Sequence, residues 1–229
     1  MTINSNELKD YILHNSSFAN ENTIDTVVNE LVDELRNNGF DLNNLDVISG
    51  ETSINFIGDN IVIRLTYVRY DSFGYKSISD YISHSSAILH PLFEKKINTG
   101  DINYPTILGL KKLQIGTISE NERNNTYIRL RNDGYLFNDA KKLDNFGRDE
   151  FGNVYLIDYG ELIYINDQQK LNNSELFYKI QYQKFIEREL KYHIGYCKEL
   201  NDLYLEYLKS NNFVHIDSNN NIIEDKKIR

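Results

Sequence analysis

The sequence predicts an α+β fold of two unlike halves, one rich in strands and one rich in helices. Three observations predict it. Apolar residues recur at helical spacing over 22–39, the period changes to strand-like over 45–68, and the stretch from about Ser174 to Ser210 is helical again. Two unlike halves imply a cleft between them, where ligands commonly bind.

In "ENTIDTVVNELVDELRNNG", Ile24, Val27, Val28, Leu31, Val32 and Leu35 fall on one helix face. Asn22 or Thr23 can cap its start, and Gly39 follows its end, where a left-handed residue is needed. "LDVISGETSINFIGDNIVIRLTYV" predicts three short strands at 45–49, 52–58 and 60–68, with Gly50 between the first two and "GDN" as a hairpin turn. Residues 77–97 predict a helix that Pro91 kinks or interrupts, and "YPTILGLKKLQI" one or two strands. "SENERNNTYIRLRNDG" opens on a capping box, Ser119 with Glu122, and stops at Gly134. "NVYLIDYG" predicts a strand carrying Val154, Leu156 and Ile157, with "FGN" as the preceding turn. Residues 174–210 predict two helices broken near Gly195, and the polar tail "DSNNNIIEDKKIR" is expected to fray.

Charge and composition exclude several classes. With 34 acidic against 25 basic residues the net charge is −9, opposite to what non-specific nucleic-acid binding needs. No apolar run approaches the roughly 20 residues that span a bilayer. "MTINSNELKDYILHNSS" lacks the basic and apolar regions of a secretory signal. Cys197 is the only cysteine, so neither an internal disulfide nor a cysteine-based zinc site forms, and a reducing, cytoplasmic setting is expected. His84 and His90 lie near each other on a predicted helix without a third ligand and are structural. Cys197 is expected to be a small buried residue, and Tyr178, Tyr182, Phe185 and Tyr192 core.

The chemistry concentrates in "FNDAKKLDNFGRDEFGNVYLIDYGEL", residues 137–162. Two acidic clusters flank a predicted hairpin. Asp139 begins the first, Lys141 lies two residues on, Asn145 follows, and Asp158-Tyr159-Gly160 ends an apolar strand. Phosphoryl transfer needs these parts: oxygen ligands for Mg²⁺, a carboxylate for the acceptor hydroxyl, and a cation on the phosphate.

The stretch resembles the catalytic and metal-binding loops of the protein-kinase-like superfamily. That group spans protein kinases, aminoglycoside and choline kinases, and small kinase-like proteins of bacteria and their phages. The resemblance implies that Asp139 orients the acceptor hydroxyl and takes its proton, that Lys141 neutralises the transferred phosphoryl, and that Asn145 and Asp158 hold Mg²⁺. Tyr159 stands where the family has Phe, its ring expected to pack beneath the loop. The family's His-Arg before the first Asp is Phe137-Asn138 here, as in small-molecule kinases. One residue more than the family spacing separates Asp139 from Asn145, which keeps Asp144 as the alternative metal ligand. Asn145 is preferred because "DNFG" runs directly into the hairpin.

Upstream, "ISGETSINFIGDNIVIRL" resembles the nucleotide-binding hairpin of aminoglycoside-type kinases. That implies Gly50 letting the backbone approach phosphate, Thr52 and Ser53 donating to it, and Arg64 where a phosphate-contacting Lys usually sits. Arg and Lys act differently at such a site. Glu94 and Asp80, in the predicted helix, are the candidate partners of Arg64. Backbone groups from Lys111 through Lys112 to Leu113 would read the adenine edge. Read alone, Gly50 is a hairpin glycine, Arg64 a strand cation, and Glu94, Lys111 and Lys112 solvated.

The resemblance thus implies a bilobal fold. Residues 1–44 form a helical extension, 45–113 an N-lobe with the nucleotide-binding sheet, and 114–229 a reduced helical C-lobe with the catalytic and metal-binding loops. It implies ATP and Mg²⁺ as cofactors and a Ser/Thr hydroxyl of a host or partner protein as acceptor, with no nucleic-acid or membrane partner. A small-molecule kinase, a pseudokinase acting as a binding module, and an enzyme transferring AMP stay open beside it.

Overall fold

The structure is a computed structural model. It describes residues 1–16, 21–50, 53–66, 76–99, 105–137, 142–159, 162–164, 215–216 and 222–223. The chain is mixed α/β and divides into two compact units, Met1–Ser83 with Leu89–Gln114, and His84–Ile88 with Ile115–Arg229.

The first unit is a six-stranded antiparallel sheet covered on one face by two helices. Its elements are β1 (Thr2–Ile3), α1 (Leu8–Asn15), α2 (Ile24–Asn37), β2 (Leu45–Ser49), β3 (Ser53–Ile57), β4 (Ile61–Thr66), α3 (Ile78–Ile82), β5 (Phe93–Lys96) and β6 (Thr106–Lys111). The strand order is β1-β2-β3-β4-β6-β5. Strand period two sends Val47, Ile54, Phe56, Ile63, Leu65 and Ile107 to one face, where they meet Leu8 and Ile12 of α1 and Ile24, Val27, Leu31 and Leu35 of α2. Residues 1–44 therefore supply the helical cover of the sheet and, in β1, one of its edge strands.

Helix α2 ends as its sequence requires. Gly39 takes φ of 78°, its N–H bonds the Arg36 carbonyl, and the Phe40 N–H bonds the Leu35 carbonyl. This is a Schellman ending, and Phe40 packs against the core that contains Leu35. The "GDN" turn closes through the Gly58 N–H to the Ile61 carbonyl at 2.9 Å. In β6, Gly109 lies opposite Phe93, whose ring occupies the space a side chain at 109 would need.

Residues 77–97 depart from the expected helix. Only Ile78–Ile82 is helical, and Phe93–Lys96 is the edge strand β5. The Ser83 hydroxyl bonds the Asp80 carbonyl and the Ser85 hydroxyl accepts the Ala87 N–H, so side chains take backbone groups a longer helix would use. Pro91 then biases His90 toward extended backbone, and the chain enters β5.

The second unit contains α4 (Glu120–Asn132), β7 (Tyr135–Phe137), β8 (Phe146–Arg148), β9 (Val154–Leu156), β10 (Leu162–Tyr164), β11 (His215–Ile216) and β12 (Ile222–Ile223). The Ser119–Glu122 capping box forms in full, with the Glu122 carboxylate accepting the Ser119 N–H and hydroxyl. β8 pairs with β9, β7 with β10, and β11 with β12, all antiparallel. The pairing of Ile222–Ile223 corrects the expectation of a frayed tail at those two residues. Tyr127, Tyr135, Phe137 and Phe146 are fully buried, and Phe137 meets Phe146 edge to face with centroids 6.3 Å apart. The predicted helices over 174–210, with Cys197 and the aromatic residues named there, lie outside the described residues.

Candidate functional site

Two groups of site residues occur, one in each unit. In the first unit, register and period put Ser53, Asn55 and Arg64 on the sheet face opposite the helices. Asn55 pairs with Arg64 across β3 and β4. The Arg64 Nε donates to Asn55 Oδ1 at 2.7 Å, and Asn55 Nδ2 lies 3.5 Å from Ser53 Oγ and 3.4 Å from the Ile48 carbonyl. All three side chains are half-buried. Asn55 thus orients a guanidinium rather than leaving it to sample rotamers. Gly50 donates its N–H to the Ser53 carbonyl at 2.7 Å, closing the β2–β3 connection, while Thr52 lies outside the described residues.

Glu94 is on the same sheet face as Arg64, one strand beyond Leu108 in the register. Its carboxylate is turned to α3 and accepts the Ile78 N–H, the Ser79 N–H and the Ser79 hydroxyl, each at 3.0 Å. The expected helical position of Glu94 is therefore corrected to a strand, and its carboxylate serves as the N-terminal anchor of α3. Asp80 is also used locally, accepting the Lys76 N–H. Beyond β6, the Lys112 N–H donates to the Asn60 carbonyl and its ammonium to the Gly58 carbonyl, so Lys112 fastens the β3–β4 turn. Leu113 follows, half-buried.

In the second unit the β8–β9 hairpin organises residues 142–159 of the stretch 137–162. Asp149 makes its turn. Only 7% exposed, its carboxylate accepts the Phe151 and Asn153 N–H groups, the Asn153 side-chain amide and the Tyr155 hydroxyl. Burial opposes ionisation of this carboxyl, but the bonds from Asn153, Phe151 and Tyr155 outweigh it and hold the group below the usual Asp range. Gly152 supplies the positive φ of 88°. At the other end of the hairpin, Leu143–Asn145 forms a single 3₁₀ turn, and the Ile157 N–H donates to the Asn145 carbonyl at 2.9 Å. The backbone of Asn145 is thereby tied to the residue before Asp158. Asn145 and Asp158 are half-buried and Asp144 exposed, while the Tyr159 ring is 3% exposed.

The structure thus brings Asn145 and Asp158 to one end of one hairpin. Asp139 and Lys141 lie outside the described residues. The pair offers one amide oxygen and one carboxylate, a donor set that suits a Mg²⁺ ion whose remaining positions go to water and phosphate. Among the described residues, no three His, Cys, Asp or Glu side chains gather as a metal site of their own. Also among the described residues, no helix is long and apolar enough to cross a membrane.

Sequence reasoning assigned no role to Asn55, although it lies within the quoted hairpin, and missed the anchoring role of Glu94. The first had a signal: closing the "GDN" turn between Gly58 and Ile61 forces residue 55 opposite residue 64. The second had none, because it depends on β5 being a strand.

No protein-family model matches the chain, and no curated protein matches it. Among solved structures, one similar chain is that described as "Co-crystal structure of WbdD and kinase inhibitor LY294002", at 13% identity and a TM-score of 0.36. The match covers 65% of this chain and 38% of that one. A likeness of that size bears on neither the fold nor the activity of this chain.

Proposed function

We propose that the protein is a Mg-ATP-dependent phosphotransferase, with a protein Ser or Thr hydroxyl as the acceptor. The observation that carries the reading is the hairpin end at which a backbone hydrogen bond sets Asn145 beside Ile157, at the start of the Ile157-Asp158-Tyr159 segment that follows β9. It is the order and spacing of Asp139, Lys141, Asn145 and Asp158 in the sequence that makes this pair meaningful. The oriented Arg64, on the sheet face opposite α1 and α2, supports it as a phosphate contact.

In this reading Asn145 and Asp158 hold the metal through oxygen. A Mg²⁺ ion held there would supply positive charge against the phosphoryl group. Asp139 accepts the proton of the attacking hydroxyl, and Lys141 offsets the charge of the phosphoryl oxygens. Arg64, held by Asn55, binds the phosphates of the nucleotide. Burial of the Tyr159 ring keeps Asp158 from swinging away.

The test uses the full chain with γ-labelled and, separately, α-labelled ATP, Mg²⁺ and a lysate. Label transferred from the γ position alone is expected. Label from the α position alone means AMP transfer, and no label together with no Mg-ATP binding means the phosphotransferase reading is wrong.

A further inference from the structure

The five residues His84–Ile88 lie between α3 and β5 in sequence yet belong to the second unit. Their backbone is held against β9. The Leu156 N–H donates to the Ala87 carbonyl at 2.9 Å, and Ile88 forms a parallel bridge with Leu156. Ala87 is fully buried and Ile88 is 1% exposed. Arg129 of α4 donates to the Ser86 carbonyl at 3.2 Å.

Ser85 fixes this segment from within. Its side chain is 2% exposed, its hydroxyl donates to Asp133 Oδ2 at 2.5 Å, and the same oxygen accepts the Ala87 N–H at 3.1 Å. Asp133 directly follows α4, its N–H bonded to the Arg129 carbonyl. A continuous chain of hydrogen bonds therefore runs from the end of α4 through Ser85 and Ala87 to Leu156. Leu156 stands two residues before Asp158, and the next residue, Ile157, holds the Asn145 carbonyl.

We propose that Ser85, clamped by Asp133, is a positioning residue that sets β9 and thereby the metal-holding pair Asp158 and Asn145. The proposal rests on the phosphotransferase reading. It acts on the placement of metal ligands, as groups hydrogen-bonded behind a metal site do. Its mark is accordingly on Mg²⁺ dependence and not on nucleotide binding alone.

The experiment compares the wild type, Ser85→Ala, Asp133→Asn and Asp158→Asn. Hydrogen exchange at the Leu156 and Ile157 amides is measured together with nucleotide binding with and without Mg²⁺. In Ser85→Ala both amides are expected to exchange faster, and the Mg²⁺ concentration for half-maximal binding to rise about 10-fold, with metal-free binding unchanged. Asp133→Asn keeps an oxygen acceptor for the Ser85 hydroxyl and is expected to stay within about twofold of wild type, short of the loss a broken support gives. Should Ser85→Ala fail to fold, Asp133→Ala removes the same bond from the half-buried side and is expected to give the same shift. Wild-type exchange and wild-type Mg²⁺ dependence in these variants, with Asp158→Asn impaired, overturns the positioning role alone. Absence of Mg-dependent nucleotide binding in the wild type overturns both it and the phosphotransferase reading.

Discussion

Gly109→Ala is expected to destabilise the first unit through one neighbour. A Cβ at this position would lie 2.1 Å from Phe93 Cε1, 2.4 Å from Cδ1 and 2.8 Å from Cζ. Ordinary van der Waals contact begins near 3.4 Å, so the ring edge must retreat by about 1.3 Å (3.4 − 2.1) or β5 must separate from β6. Phe93 packs against the core, so the ring does not swing freely into solvent. Overpacking of this kind costs about 1–3 kcal/mol, against roughly 0.5–1 kcal/mol regained from replacing a strand glycine. The net expected loss is about 0–2.5 kcal/mol, centred near 1 kcal/mol, and the central value corresponds to a fall in Tm of about 2–4 °C at this chain length. Phe93→Ala alone loses the burial of a half-buried ring, about 1–2 kcal/mol, less than the full Phe→Ala cost. In the double variant the clash has no partner. Urea unfolding followed by far-UV circular dichroism should therefore give a coupling of about 1 kcal/mol or more. Additivity within about 0.5 kcal/mol would refute the packing argument. The consequence extends beyond stability, since β6 lies between β4, which carries Arg64, and β5, which carries Glu94.

Other outcomes follow from single contacts. Lys95 is ion-paired with Glu30 at 2.8 Å and Glu34 at 2.7 Å, and these hydrogen bonds raise its ammonium from 10.5 to about 12. A raised cation stabilises fully below its unfolded value and loses that stabilisation as pH rises through about 12. With the side chain 37% exposed, solvent screening reduces the nominal contribution to about 0.5–1 kcal/mol. The stability difference between wild type and Lys95→Met should thus shrink between pH 9 and pH 12, and a constant difference would refute the pairing. Glu94→Ala orphans three donors at the start of α3 and is expected to lower stability by about 1–2 kcal/mol. It should leave nucleotide affinity near wild type, whereas Asn55→Ala, which removes the bond to Arg64 Nε, should weaken it; the reverse pattern in a binding titration would return Glu94 to the nucleotide site.

Local rules made much of the first unit legible. The apolar stripe of α2 with Gly39 at its end, the three-residue turn after β3, and the Ser119–Glu122 capping box each join a sequence signal to one hydrogen-bonding requirement. Where signals competed, the nearer partner won. Over 77–97 the apolar residues Ile78, Tyr81, Ile82 and Ile88 suit a helix, but Ser83 and Ser85 take backbone groups locally and β6 captures Phe93–Lys96. Propensity in "FEKK" is overridden by an available sheet edge. β1 and β7 are two and three residues long, too short for periodicity to register. At the candidate site, the hairpin was legible because "FGN" before an apolar strand marks a turn, whereas the four bonds to Asp149 that close it were not. The link from Ser85 to Leu156 was not, since its partners are 48 and about 70 residues apart in sequence.

The most direct test of the phosphotransferase account is calorimetric titration of Mg-ATP into the wild type and Asp158→Asn, paired with thermal unfolding at saturating ligand. The account expects Mg²⁺-dependent binding by the wild type, with about 2.7 kcal/mol of stabilisation at a hundred times the Kd. It expects that dependence to be lost in Asp158→Asn, with the fold retained. Equal Mg²⁺-dependent binding by the two proteins, or none by the wild type, would contradict it.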